Sequence, residues 1–318
     1  MVKNVTVVGA GRMGKGIAAI YARRGYNVTI HDSEEGLLEQ ARQGIRSILG
    51  FLLEKELITE DEVDSSMSRV RSTVNLEEAM EAADLVNESI PEVMDLKKEL
   101  FSRMDKLCGE KTILATNTSS LSNSELAAAT SRPDRVVGIH WVYPPYIIPA
   151  VEVIVGKKTS DLTVNTAKDL VLKLGKVPIV CKDVPGFVIN RMQQALFNEA
   201  GCLLEQGVAT AEDIDNAARM VMGLRFPFWG PLRVEDVTAP ATTVLTVQEY
   251  LYKKTGRDKF RPTELLREKV RKGELGLVSG KGYYDYSKEP PGAIAREMDN
   301  MLIEILRFLA KLGYANPP

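Results

Sequence analysis

The chain has 318 residues, of which 44% are hydrophobic and 26% charged, and its formal net charge is -2. These values are typical of a globular protein large enough for two domains, and they argue against nucleic-acid binding, which needs clustered basic residues. No apolar run is long enough to span a membrane, and the first predicted strand begins too early to leave room for a signal peptide. Three scattered cysteines indicate a reducing compartment without a disulfide framework or a metal site, so we expect a cytoplasmic protein.

Short apolar runs alternate with longer amphipathic stretches up to about residue 182. Strand-like runs are predicted at 4–8, 27–31, 84–87, 112–116, 135–139, 150–155 and 177–181. Helical patterns lie between them at 12–24, 34–56, 95–107 and 161–174. This alternation predicts an α/β fold of the doubly wound, Rossmann type, in which helices cover both faces of a parallel sheet.

The pattern becomes almost entirely helical after the Pro185-Gly186 step. We therefore predict a Rossmann domain at 1–184 and an all-α domain at 185–318. The last stretch, 294–309, places its apolar residues on one helical face. We interpret it as a helix that packs on its own domain, with an oligomer contact as the alternative.

A glycine-rich loop, G-A-G-R-M-G at 9–14, joins the first predicted strand to the first predicted helix. In this context Gly9 allows a tight turn, Gly11 allows close approach of a pyrophosphate, and Gly14 allows the helix to pack on the strand. The loop, including Arg12 and Met13, is predicted to bind a dinucleotide at the helix N-terminus. The second predicted strand is followed by Asp32, which can accept hydrogen bonds from a ribose and repels a 2′-phosphate. We therefore expect NAD rather than NADP.

The chain has two histidines, and only one of them lies where a reaction is expected. His31 precedes Asp32 at the adenosine end of the cofactor, so we interpret it as structural. His140 follows a predicted strand at the edge where such sheets bind ligands. Glu152 lies in the next apolar run, where an unpaired carboxylate would cost several kcal/mol. A His140–Glu152 pair would fix the imidazole tautomer and raise its basicity, as deprotonation of an alcohol requires.

Several further segments carry a resemblance over nearly the whole chain. They read I-P-E-V-M-D-L-K-K-E-L-F at 90–101, A-T-N-T-S-S-L at 115–121, R-V-V-G-I-H at 135–140, V-E-V-I at 151–154, K-D-V-P-G-F-V-I-N-R at 182–191 and S-G-K-G-Y-Y-D-Y at 279–286. With the glycine-rich loop, they make the chain resemble the L-3-hydroxyacyl-CoA dehydrogenase family. The resemblance implies a helical second domain that forms homodimers, and a place in fatty acid metabolism.

The resemblance also assigns roles to individual residues. It implies His140 as the general acid and base, Glu152 as its orienting partner, and Ser119 and Asn190 as hydrogen-bond donors to the substrate oxygens. Three further residues are expected near the ribose and nicotinamide of NAD: Glu92, Lys97 and Asn117. Taken alone, Ser119 could instead cap a helix, and Glu92 could be an ordinary first-turn glutamate.

The sequence does not decide the substrate, because some segments differ from those typical of dehydrogenases that act on acyl-CoA. Tyr143 stands where the family usually carries asparagine, and G-L-R-F-P-F-W-G-P-L at 223–232 resembles the λ-crystallin (L-gulonate dehydrogenase) branch. Arg225 in that segment could bind a substrate carboxylate or offset a helix dipole. The leading hypothesis is oxidation of an L-3-hydroxyacyl-CoA to the 3-ketoacyl-CoA. The alternatives are the same reaction on a free β-hydroxy acid, and a nucleotide-binding structural protein without activity.

Overall fold

The computed structural model describes residues 2–290 and 292–315. The chain divides into two compact units, Met1–Phe197 and Asn198–Pro318. This division falls inside a helix, whereas the boundary predicted from the sequence lies at Pro185-Gly186 and stays a prediction.

One sheet forms the centre of the N-terminal unit. Its strands are β1 Asn4–Val8, β2 Asn27–His31, β3 Val70–Thr73, β4 Leu85–Glu88, β5 Ile113–Thr116, β6 Val136–Trp141, β7 Ala150–Val155 and β8 Val177–Lys182. Their spatial order is β3-β2-β1-β4-β5-β6-β7-β8. The order reverses between β1 and β4, and this switch point is where doubly wound sheets bind ligands.

Helices cover the sheet on both faces, as the alternating pattern predicts. Those of the N-terminal unit are α1 Arg12–Arg23, α2 Glu35–Glu54, α3 Glu60–Ser68, α4 Leu76–Met80, α5 Met94–Leu107, α6 Asn123–Ala127 and α7 Asp161–Lys173, and α8 Ile189–Glu205 continues into the second unit. One apolar layer contains Ile17, Ile45 and Val171, and the other contains Phe101 and Met104. Burial of each apolar side chain of this size stabilises the folded state by roughly 1.5–3 kcal/mol.

The sheet is mostly parallel, as predicted, but β7 runs in the opposite direction to β6. β7 pairs antiparallel with β6, and β8 pairs parallel with β7. The reason is the connection at 142–149, which contains no helix and is too short for the crossover that parallel neighbours require. The strand that carries His140 also continues through Trp141 instead of ending at Ile139.

The C-terminal unit of the described chain is helical. Its helices after α8 are α9 Ala211–Ala217, α10 Gly223–Arg225, α11 Pro231–Thr238, α12 Ala241–Thr255, α13 Glu264–Lys272 and α14 Ala293–Lys311, with a π-helical turn at Ala218–Met222. The first turns of α14 pack on this unit, because Ile294 is buried against Trp229 and Tyr286. The S-G-K-G-Y-Y-D-Y segment folds around Asp236, which accepts hydrogen bonds from the Tyr284 amide and the Tyr286 hydroxyl at 3.0 and 3.1 Å.

Candidate active site

The glycine-rich loop turns from β1 into α1 with no room for side chains at two of its glycines. Gly9 has a φ of +100°, and a Cβ there would lie 2.6 Å from the carbonyl oxygen of Ser89. A Cβ on Gly14 would lie 1.8 Å from the carbonyl oxygen of Gly9. A Cβ on Gly11 would meet only open space, and no side chain caps α1. The loop therefore fits a pyrophosphate that approaches the helix N-terminus at Gly11.

Asp32 is held beside this loop. Its Oδ2 accepts a hydrogen bond from the Ala10 amide at 2.8 Å. It lines a pocket of about 760 Å³ together with Gly11, Arg12 and Met13. His31 lines the same pocket, and burial lowers the pKa of its imidazole. His31 thus lies with the predicted cofactor contacts, while His140 lines a different pocket.

His140 and Glu152 are direct partners in the antiparallel β6–β7 pair. Residues opposite each other in such a pair project to the same face of the sheet, which brings the two side chains together. His140 Nδ1 lies 2.7 Å from Glu152 Oε2, and the carboxylate is completely buried. Burial raises the pKa of Glu152, but the hydrogen bonds from His140 and from the Ile189 and Val188 amides outweigh it and hold the pKa below its usual value.

The segment between β8 and α8 completes the surroundings of this pair. Glu152 Oε1 accepts hydrogen bonds from the backbone amides of Val188 and Ile189, both at 2.9 Å. Phe187 is buried, has a φ of +47°, and places its ring centroid 6.0 Å from that of His140. A non-glycine residue in the left-handed region is strained, and such strain is common at functional sites.

Ser119 and Asn190 meet in the same pocket as His140. Asn190 Nδ2 donates to the carbonyl oxygen of Ser119 at 2.8 Å. The pocket has a volume of about 360 Å³ and is also lined by Asn117. The side-chain oxygen of Asn117 accepts a hydrogen bond from the Trp141 amide at 2.8 Å, which fixes the end of β6 next to His140.

Glu92 and Lys97 line this pocket too, but the structure also gives them partners within the protein. Glu92 Oε1 accepts hydrogen bonds from the Ser119 and Ser120 amides at 3.0 and 3.2 Å. Lys97 is 1% exposed, and its Nζ lies 2.5 Å from Glu88 Oε1, 3.1 Å from the Ile90 carbonyl and 3.5 Å from Glu92 Oε2. The first two of these contacts are hydrogen bonds, and the third is an ion-pair contact. Contact of Glu92 and Lys97 with the cofactor stays a prediction.

Two buried polar side chains near the site were not singled out from the sequence. Glu88 pairs with Lys97, and Asn87 Oδ1 accepts a hydrogen bond from Trp141 Nε1 at 3.0 Å. Both lie in β4, whose residues are all buried. A polar residue in an apolar strand needs a partner, and this is the signal that could have identified them.

The two predicted substrate residues lie in different units. Tyr143 is 51% exposed and lines the His140 pocket, and its ring centroid lies 4.6 Å from the guanidinium carbon of Arg12. Arg225 ends α10 in the C-terminal unit, beside Met298 and Met301 of α14. The role of Arg225 toward a substrate therefore stays a prediction.

Within 2–290 and 292–315, no group of three or more His, Cys, Asp or Glu side chains is arranged to hold a metal ion. No helix in this part of the chain is long and apolar enough to cross a membrane.

Comparison with protein families gives two adjoining matches. The NAD-binding domain of 3-hydroxyacyl-CoA dehydrogenase matches residues 4–184, and the C-terminal domain of the same family matches residues 186–286. Together these matches cover most of the chain, and they agree with the fold expected from the motifs.

Individual relatives match this chain over nearly their whole length. A probable 3-hydroxybutyryl-CoA dehydrogenase of Bacillus subtilis is 41% identical over 288 residues, 91% of this chain and 99% of that protein. The 5-formyl-3-hydroxy-2-methylpyridine 4-carboxylate 5-dehydrogenase of Mesorhizobium japonicum is 36% identical over 317 residues, 97% of this chain and 99% of that protein. The crystal structure of a 3-hydroxyacyl-CoA dehydrogenase from Archaeoglobus fulgidus has a TM-score of 0.82 at 33% identity and covers 97% of this chain and 99% of that one.

Proposed function

Because the chain belongs to the 3-hydroxyacyl-CoA dehydrogenase family, we propose that it oxidises the hydroxyl of an L-3-hydroxyacyl-CoA to a ketone with NAD. The observation that carries this proposal is the buried His140–Glu152 pair, at 2.7 Å, in a pocket lined by Ser119 and Asn190. Met13 and Ser89 line both this pocket and the one at the glycine-rich loop. The acid–base pair therefore lies next to the predicted dinucleotide site.

Bound NAD supplies the hydride acceptor, and the residues of the chain manage the proton. His140 donates its Nδ1–H to Glu152, so Nε2 is the nitrogen left to take the hydroxyl proton. The Glu152 carboxylate then stabilises the imidazolium that forms. Ser119 and Asn190 hydrogen-bond the substrate oxygens, and the ring of Phe187 lies beside the imidazole.

The test follows NADH absorbance with a panel of L-3-hydroxyacyl-CoA esters and free β-hydroxy acids. We expect turnover with the CoA esters, and loss of that turnover in His140→Gln. Folded, NADH-binding protein that turns over no CoA ester in either direction contradicts the proposal.

A second candidate is the same reaction on a free carboxylic acid. The relative from Mesorhizobium japonicum, named for a pyridine carboxylate, matches 97% of the chain, whereas the Bacillus subtilis relative matches 91%. Arg225 is the candidate partner of a substrate carboxylate.

Arg225→Met separates the two candidates. With a free acid, we expect KM to rise roughly tenfold or more, since a charge-assisted hydrogen bond contributes about 1.5–3 kcal/mol. With a CoA ester, we expect acetoacetyl-CoA reduction within a few-fold of the wild-type rate. Arg257→Met, an exposed arginine of the same unit, is the control.

We also propose that the protein is a cytoplasmic homodimer formed through residues beyond about 186. Within the described part of the chain, helices α8 and α9 have no buried side chain, and Leu196, Phe197 and Leu204 are each at least 40% exposed. Apolar surface of this kind is typical of a protein interface. Light scattering of the full chain tests the dimer, and a monomer contradicts it. A chain truncated before Pro290 tests whether α14 takes part.

A further inference from the structure

The carboxylate of Glu152 joins the imidazole of His140 to the start of α8. Its Oε2 lies 2.7 Å from His140 Nδ1, and its Oε1 accepts hydrogen bonds from the amides of Val188 and Ile189, both at 2.9 Å. Glu152 is completely buried, so water does not compete for either oxygen. The negative charge beside the imidazole is therefore shared with two backbone amides.

These amides lie at the positive end of a long helix. α8 spans Ile189–Glu205, and its aligned peptide dipoles place partial positive charge at its first turn. Ile189 is the first residue of the helix, and Val188 precedes it. An imidazolium at His140 and the N-terminus of α8 thus compete for the same carboxylate.

Other titratable groups lie near the pair but make no hydrogen bond to its carboxylate. Burial, and then the charges of Glu152 and Asp183, raise the pKa of the Cys181 thiol on β8 to about 11, so this thiol is neutral near pH 7. Glu92 and Lys97 line the pocket of His140 but pair with each other at 3.5 Å. Direct contact with the Glu152 carboxylate is made by His140, Val188 and Ile189.

We propose that the N-terminus of α8 sets the basicity of the His140–Glu152 pair, with the Val188 and Ile189 amides as the groups that position Glu152 and share its charge. The inference rests on the proposed role of the pair as acid and base. By withdrawing negative charge from the imidazole, the amides let the pair release its proton at a lower pH. A larger fraction of the protein then holds a neutral imidazole, ready to accept a hydroxyl proton near pH 7.

Replacement of Ile189 by proline removes one of these amide donors and keeps the helix. Proline lacks the N–H and is favoured at the first position of a helix. Ile189→Ala is the matched control, because it shortens the side chain and keeps the N–H. We expect the acid limb of the pH profile of kcat/KM for hydroxyl oxidation to have its midpoint at a higher pH in Ile189→Pro than in Ile189→Ala. The difference should be roughly half a pH unit or more. Lower activity at every pH with an unmoved limb is the signature of a purely structural role, and it overturns the proposal.

A titration of the wild-type protein tests the same idea with the start of α8 left intact. In protein labelled with 15N at valine, isoleucine and histidine, we expect the Val188 and Ile189 amides to shift with the midpoint of the His140 imidazole. The chain has two histidines, so His31→Gln identifies the imidazole signals. Amides that stay unchanged through that titration overturn the proposal. This titration needs no substrate, so its outcome does not depend on the proposed function. Failure to find an active substrate would count against the proposed function alone.

Discussion

Lys97 lies 2.5 Å from Glu88, and both side chains are almost completely buried, at 1% and 0% exposure. Lys97 also contacts Glu92, which holds the amides of the loop that carries Ser119. A buried ion pair thus forms the support on which part of the candidate site rests. Removal of one partner would leave the other charge buried without compensation, which typically costs about 3–5 kcal/mol.

We therefore expect Lys97→Met to lower the free energy of unfolding by about 3–5 kcal/mol. The double variant Lys97→Met with Glu88→Gln should recover most of that loss, because no completely buried unpaired charge is left. Urea unfolding of the wild type, the single variants and the double variant measures the difference. Additive losses in the double variant would show that the pair is not coupled.

His140→Gln should reduce turnover by about 10²–10⁴, the usual contribution of a general acid–base group, because glutamine cannot carry the proton. NADH affinity should stay unchanged, since His140 does not line the pocket at the glycine-rich loop. Steady-state kinetics and fluorescence titration with NADH check the two parts. His31→Gln is the control: at saturating NAD it should keep near-normal turnover. Near-normal turnover in His140→Gln would mean that another group moves the proton.

Asp32→Ala should reduce the preference for NADH over NADPH, because it removes the carboxylate expected to repel a 2′-phosphate. Asp32 also accepts a hydrogen bond from the Ala10 amide, so the alanine variant should bind both cofactors more weakly. Asp32→Asn keeps an acceptor for Ala10 and isolates the effect of charge. Titrations with both cofactors give the ratio of Kd values, and a wild-type ratio that favours NADPH would contradict the ribose assignment.

Glu92 should stabilise the Ser119 loop in a manner that depends on pH. Burial raises its pKa, but hydrogen bonds from Thr118, Ser120 and Ser119 and the charge of Lys97 outweigh this and hold the pKa below its usual value. A carboxyl group with a depressed folded-state pKa stabilises the protein above its unfolded pKa of about 4.3, and this stability is lost as the pH falls through the folded value.

The decrease in the free energy of unfolding caused by Glu92→Gln should therefore be largest near pH 7 and become smaller below about pH 4. Unfolding curves for both proteins across this range measure it, with the exposed Glu81→Gln as the control. A stability difference that stays constant with pH would mean that the charge of Glu92 does not stabilise the loop.

Gly282→Ala should destabilise the C-terminal unit. A Cβ at this position would lie 2.1 Å from Asp236 Oδ1, so the buried carboxylate would have to leave the Tyr284 amide and the Tyr286 hydroxyl. The loss of these bonds from a buried group costs about 1–3 kcal/mol. Gly50→Ala in α2 is the matched control, because a Cβ there meets open space and alanine favours the helix. Equal thermal stability of the two variants would contradict this account.

The local patterns predicted most of the elements around the sheet but missed the shortest ones. Strands β1, β2 and β7 have the predicted bounds, because apolar and β-branched residues make up most of each one. β3 was not predicted, because V-R-S-T is short and its middle residues are exposed at the edge of the sheet. The helices α4 and α6 have five residues each, too few for a periodic pattern to be recognised.

The sequence by itself determined the fold class and the cofactor. The glycine-rich loop, the strand before it and Asp32 after β2 lie close together in the chain, and their requirements are local: a positive φ, a close approach and a strand end. The family matches confirm both predictions. The contact between His140 and Glu152 was expected because a carboxylate in an apolar run needs a partner and an imidazole lies one strand away. Their catalytic roles stay predictions.

The tertiary structure alone decided what lies around that pair. The antiparallel register of β6 and β7 sets His140 directly opposite Glu152, and sequence spacing does not give a register. The second oxygen of Glu152 is bound by backbone amides 36 and 37 residues away, which have no side-chain signature in the sequence. Backbone donors of this kind reach the carboxylate only when distant segments of the chain pack together, so these contacts belong to the fold rather than to any local pattern.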